Sequence, residues 1–138
     1  MNAEQTREAA GRFIARLQQL EQGQDNAVDG VAELFSGDAK LSNPILEREG
    51  RERSGRDDIA AFWRAYGATF GTIRSDFFEV TINDHSAGLF WHSRGTGPHG
   101  QPIDYDGVTL LQFDESGQIA RFKSYFDRDQ VQLRAAPH

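Results

Sequence analysis

The chain has 138 residues, 38% hydrophobic and 11% aromatic with ten phenylalanines, which suits one domain with a proper core and is too apolar for a disordered segment. A net charge of −6 with no Lys/Arg stripe argues against nucleic acid and anionic membranes as partners. Cysteine is absent, which excludes disulfides, thiolate nucleophiles and Cys-bound metals. The first residues, MNAEQTREAAGRF, carry no apolar core of a secretory signal, and no apolar run approaches the ~18 residues of a membrane span, so a cytoplasmic protein is expected.

Ala10, Phe13, Ile14, Leu17 and Leu20 fall at helical spacing, which predicts a helix over residues 3–22 ended by Gly23. Asp25 is a plausible cap for a second helix with Val28, Val31, Ala32 and Phe35 on one face, ending near Ser36-Gly37. Residues 38–43 read as a short strand closed by Pro44, and 46–53 as a charged loop. Ser54 with Asp57 three residues on predicts the start of a third helix, whose aromatic face is Ile59, Phe62, Trp63 and Tyr66 and whose end is Gly67. Four strands are expected after it, over 74–83, 87–96, 103–113 and 118–126. In the first, Phe78, Val80 and Ile82 share a face opposite Phe77. In the last, Ala120, Phe122, Ser124 and Phe126 face one way and Ile119, Arg121, Lys123 and Tyr125 the other. A final helical turn is expected over 129–133, then a fraying tail over 135–138. Helices gathered at the front with a mostly antiparallel sheet behind give the class α+β, in a single domain over 1–138 with its core at about 5–133.

Several residues invite chemistry. His92, mid-strand beside Arg94, titrates near neutrality and can serve as general acid or base if it faces inward; otherwise it lies on the outer sheet face or in a dimer contact. Arg94 inside an apolar cup needs an acidic partner or an anionic ligand, and Asp104 or Asp106 on the next strand can supply a cross-strand ion pair. Asp104 and Asp106 project from one strand face and can divide acid and base roles or simply be solvated. Asn43 can orient a carbonyl or hydroxyl, or make an Asx-turn before Pro44. His85, His92 and His99 share no ligand spacing, so no metal site is expected.

The element order, together with Leu34-Phe35 before Asp38-Ala39, Asn43-Pro44, Arg53-Ser54-Gly55 before Ile59 and Phe62, and Gly117-Gln118-Ile119 leading to Tyr125-Phe126-Asp127, resembles the nuclear transport factor 2-like or SnoaL-like superfamily. The resemblance implies a cone-shaped, curved, mostly antiparallel sheet wrapped around three helices of the N-terminal half, a cofactor-independent site inside the cone, and a homodimer. Arg121, Lys123 and Tyr125 form a mixed strand face consistent with such a partner. Ketosteroid isomerase, a relative, uses an Asp base with Tyr and Asp donors. Those positions fall here on Asn43, Phe13 and Thr109, which cannot run that mechanism. Limonene epoxide hydrolase uses an Asp-Arg-Asp trio with a Tyr and an Asn. Arg94 and Asn43 match it, whereas Thr96, Ser124 and Leu41 stand at the two Asp positions and the Tyr position.

The expected polar site is therefore Asn43, His92 and Arg94, with Phe13, Phe35, Trp63, Thr109, Leu111, Phe122, Ser124 and Phe126 around a small hydrophobic molecule. Three functions compete: an isomerase, cyclase or hydratase of a small apolar metabolite, a non-catalytic carrier of such a molecule, and a dimerisation module with the cone plugged by its own aromatics. They are separated by whether His92 points inward and whether Trp63 fills the cavity or walls it.

Overall fold

The computed structural model describes residues 1–131. Helix α1 (Ala3–Glu21) opens with a capping box: Asn2 Oδ1 accepts from Gln5 N at 2.9 Å and Gln5 Oε1 from Asn2 N at 3.0 Å. Its buried stripe is Ala9, Ala10, Phe13, Leu17 and Leu20. Helix α2 (Ala27–Ala32) starts from Asn26, not Asp25, in a left-handed conformation at φ 62°. It ends before Phe35, which opens strand β1 (Phe35–Ser42) instead of completing the helix face. The strand thus starts three residues earlier than its polar Asp38 suggested, because Phe35 pairs with Ile119.

The stretch read as a loop holds helix α3 (Pro44–Arg48) and strand β2 (Arg53–Ser54). Pro44 closes β1 by starting α3, where its missing N–H is no loss. Helix α4 (Arg56–Thr69) is capped by Gly55 at φ 87°, not by Ser54. Ser54 N donates to Asp58 Oδ2 at 2.9 Å, so the acid that meets Ser54 is Asp58 and not the expected Asp57. Strands β3 (Thr72–Ile82), β4 (Ser86–Thr96), β5 (Pro102–Phe113) and β6 (Ile119–Phe126) follow, then helix α5 (Arg128–Val131). The continuation of this last helical turn to 133 and the tail over 135–138 lie outside the described residues.

One six-stranded sheet results, in the order β2-β1-β6-β5-β4-β3, antiparallel except for the β1–β6 pair. Its concave side holds α1, α2 and α4, as an α+β fold of this kind requires. Bulges bend it. One between Phe77 and Glu79 puts Phe78 outside and 67% exposed, and brings Val80 and Ile82 opposite the buried Leu89 and Ala87. The expected grouping of Phe78 with Val80 and Ile82 thereby fails. A second, between Gln112 and Phe113, turns Ile119 into the core with Phe113, so Ile119 leaves the outer face to Arg121, Lys123 and Tyr125. The main core centres on Phe13, Phe35, Ile59, Trp63, Leu111 and Phe122, and a smaller cluster of Trp91, Ile103 and Tyr105 lies toward the other end of the sheet.

Candidate functional site

Between the helices and the sheet, a cavity of about 300 Å³ separates the main core from the smaller cluster. Phe13, Leu17, Phe62, Trp63, Phe122 and Phe126 give it apolar walls, and Asn43, Ser75, Ser93, Tyr105, Thr109 and Ser124 give it oxygen and nitrogen groups. Ile45, Glu49 and Arg51 border the same space from α3 and the segment after it, and Arg51 is tied to Glu49 by Nε at 3.0 Å and by Nη2. Trp63 is 2% exposed and packs edge-on against Phe62, Tyr66 and Phe122, so it walls the cavity and leaves the rest open.

Asn43 takes the structural role weighed for it and also borders the cavity. As the cap of α3, its Oδ1 accepts from Leu46 N at 2.9 Å. That bond fixes the amide orientation and leaves Nδ2 with no partner among the described residues, on a side chain that lines the cavity.

On β4, β5 and β6, Trp91 Nε1 donates to Thr109 Oγ1 at 2.9 Å, and Thr109 Oγ1 lies 2.8 Å from Ser124 Oγ. Two hydroxyl hydrogens share one hydroxyl–hydroxyl contact, so one hydrogen of this pair stays unspent at the cavity wall. The indole reaches Thr109 because Gly107 lies opposite Trp91; a Cβ on Gly107 would sit 2.7 Å from the Trp91 ring and 2.4 Å from Tyr125 O.

A second polar group has Glu21 at its centre. Glu21 Oε1 accepts from Ser75 N at 2.8 Å, and Oε2 accepts from Ser75 Oγ at 2.6 Å and Tyr66 Oη at 2.7 Å. Ser75 Oγ lies 2.6 Å from Ser93 Oγ. Burial, then the negative charge of Glu21, pushes the Tyr66 phenol well above its usual range. The same two causes, in the same order, raise Tyr105. The Tyr105 hydroxyl makes no hydrogen bond among the described residues.

The residues expected from sequence divide three ways. Asn43, Phe13, Trp63, Thr109, Phe122, Ser124 and Phe126 come together at the cavity. Phe35 and Leu111 are fully buried but lie in the core beside it, Phe35 against Trp63 and Phe122. His92 and Arg94 stand outside. The inward residues of β4 are Ala87, Leu89, Trp91 and Ser93, so strand alternation turns His92 and Arg94 to the convex face. There His92 Nε2 meets Asp104 Oδ1 at 2.7 Å. The expected cross-strand pair therefore forms with His92 and not with Arg94, although Asp104 is the register partner of Arg94. Leu41, fully buried, and Thr96 do not border the cavity either. Glu21, Tyr66, Ser75, Ser93 and Tyr105 were not anticipated. Glu21 ends an amphipathic helix like any surface acid, and only the folded register brings the serines of β3 and β4 to it.

The SnoaL-like domain matches residues 10–122 of the chain. The chain belongs to the SnoaL-like domain family. Solved structures agree on the fold. An NTF2-like protein of unknown function from Burkholderia pseudomallei K96243 superposes with a TM-score of 0.80 at 16% identity, covering 97% of this chain and 98% of its own. A proposed ketosteroid isomerase from Kribbella flavida DSM 17836 gives 0.69 at 20%, covering 91% of this chain and 79% of its own. SalBIII, an epoxide hydrolase/cyclase-like enzyme with a role in pyran ring formation in the polyether salinomycin, gives 0.73 at 13%, covering 93% and 95%. This SnoaL-like chain thus carries the family's concave sheet with its own polar inventory inside it. Among the described residues, no helix is long and apolar enough to cross a membrane.

Proposed function

We propose that the cavity binds one small, mostly apolar, ring-containing molecule and holds it by a carbonyl oxygen. The observation that carries this reading is the pair of unspent donors, Asn43 Nδ2 and the remaining hydrogen of Thr109 and Ser124, in an apolar space of about 300 Å³. A donor that opens on an apolar cavity and has no protein acceptor is satisfied by a ligand carbonyl. Donors aimed at one oxygen also stabilise charge that develops there, which is what an isomerase, cyclase or hydratase without a cofactor asks of its site. The isomerase and cyclase descriptions of two fold neighbours lie in that range. The competing reading, a carrier without turnover, is favoured by the cavity lining itself: its one carboxylate is Glu49, engaged with Arg51.

Both tryptophans of the chain, Trp63 and Trp91, line the cavity, so occupancy is read by their fluorescence. A two-ring aromatic ketone, 1-tetralone, is expected to quench them saturably. Ser124→Phe, which fills cavity space with a ring, should weaken binding about tenfold or more. Unsaturable quenching, or equal quenching of the variant, removes the reading. Turnover is tested separately, by following racemisation or solvent-hydrogen exchange next to the carbonyl of bound ketones.

A second copy of this chain is the partner we propose for the convex face. Phe90, Val108 and Tyr125 stand directly opposite one another across β4, β5 and β6, with Phe78 beside them. Asp76, Asp104 and Asp106 beyond one end of this row share their face with Arg74, His92 and Arg94, and Lys123 beyond the other end pairs with Glu47, so the apolar row is what a two-fold pairing would bury.

A further inference from the structure

We propose that Glu21 fixes the direction of a hydrogen-bond chain through Ser75 and Ser93, making Ser93 a hydrogen-bond acceptor in the cavity and selecting ligands that present a hydroxyl there. The inference rests on the cavity being a ligand site. It adds the second functional group of the ligand, a hydroxyl at the β4 wall, to the carbonyl assigned above.

The direction follows from counting hydrogens. The Glu21 carboxylate accepts from Ser75 N, Ser75 Oγ and Tyr66 Oη, and an ionised carboxylate has nothing to donate. Ser75 has one hydroxyl hydrogen, and Glu21 Oε2 at 2.6 Å takes it. The 2.6 Å contact between Ser75 Oγ and Ser93 Oγ must then be donated by Ser93. Ser93 keeps no hydrogen. Its oxygen meets the cavity as lone pairs, backed by a charge two bonds away.

Tyr105 strengthens the choice. It is the register partner of Ser93, it lines the cavity, and its hydroxyl is unpartnered among the described residues. A ligand hydroxyl donates to Ser93 and accepts from Tyr105. An ether or ketone oxygen can use only Tyr105 and leaves Ser93 without a donor. Ser93 lies four residues along β4 from Leu89, the register partner of Thr109, which is about 13 Å at the rise of a strand, so the two ends of the cavity address different oxygens of one ligand.

Nothing in the stability of α1 asks for an acid at this place. Glu21 is the last residue of the helix, where the helix dipole disfavours negative charge, and no ion pair involving it occurs among the described residues. The three donors from Ser75 and Tyr66 are what hold it.

The test uses 2-naphthol and its methyl ether, 2-methoxynaphthalene, titrated against the intact protein by tryptophan fluorescence or calorimetry near neutral pH. The naphthol should bind about tenfold or more tighter, the worth of one hydrogen bond to a charge-backed acceptor. Glu21→Gln lets the chain reverse, because the amide can donate to Ser75 and Ser93 then donates to the ligand. Ser93→Ala removes the acceptor and leaves Glu21 with its other donors. In both variants the preference should fall to within about twofold. The steric cost of the methyl group persists in Glu21→Gln, so a preference caused by size alone would survive there. Equal affinities in the wild type, or a preference unchanged in both variants, overturns the inference and leaves the cavity reading standing. If neither compound binds while 1-tetralone does, the inference falls and the cavity reading stands; if 1-tetralone fails as well, both fall.

Discussion

For single residues, function depends on which hydrogens are already spent. Asn43 separates two duties that a single mutation usually confuses. Asn43→Ala removes the cap of α3 and should cost about 1 kcal/mol of stability together with ketone binding. Asn43→Asp keeps an oxygen for Leu46 N and loses the amide hydrogens, so thermal unfolding should stay near wild type while ketone binding weakens. Equal affinity in the aspartate variant would mean that Nδ2 holds nothing. Tyr66 and Tyr105 carry a pH prediction. Their phenols are raised in the folded state, so their contribution to stability is present below the unfolded tyrosine range and is lost as pH rises through and beyond it. In an alkaline absorbance titration these two should ionise only as the fold is lost. Glu21→Gln removes the negative charge that helps to raise both, so stability should fall less steeply with pH through the tyrosine range. Asn43 could be singled out from sequence, because it ends a strand before a proline at a place where the resemblance implies a working polar group. Glu21 could not, because its partners are 45 and 54 residues away.

Among the elements, helices and strands follow from local spacing, and the faces follow only where the period is unbroken. Period-2 alternation holds along β4, and choosing Trp91 and Ser93 as its inward residues would have placed His92 and Arg94 outside at once. The heptapeptide around them, Phe90 to Thr96, does not decide between its two faces, since Phe90 and Trp91 are equally apolar. Bulges in β3 and β6 likewise move Phe78 and Ile119 to the face opposite the expected one, and neither carries a turn residue that would have announced it. Gly107 is where an element serves the site. Gly107→Ala forces a Cβ against the Trp91 ring and Tyr125 O, and should destabilise by about 1–3 kcal/mol. It should also displace the indole from Thr109, seen as a shift in Trp91 emission; unchanged emission and stability would show that the close approach has no such role.

In the molecule as a whole, the fold was legible because helix, strand and turn signals agreed along most of the chain, with α3, β2 and the two bulges as exceptions, while the chemistry was not, because this scaffold hosts many activities. The convex face, with Phe78 and Tyr125 exposed at 67% and 45%, should pair with a second copy, giving twice the 15.5 kDa chain mass in sedimentation. Val108→Glu in the middle of the row should return the monomer without affecting ketone binding; a monomeric wild type rules this partner out. The concave face decides whether the chain is a ligand-binding protein, and a crystal of the protein soaked with 1-tetralone answers that. The ketone should lie between Trp63 and Trp91 with its oxygen within hydrogen-bond distance of Asn43 Nδ2. An empty cavity at saturating ketone, or the ketone bound on the convex face near His92, would mean that the unspent donors hold no ligand.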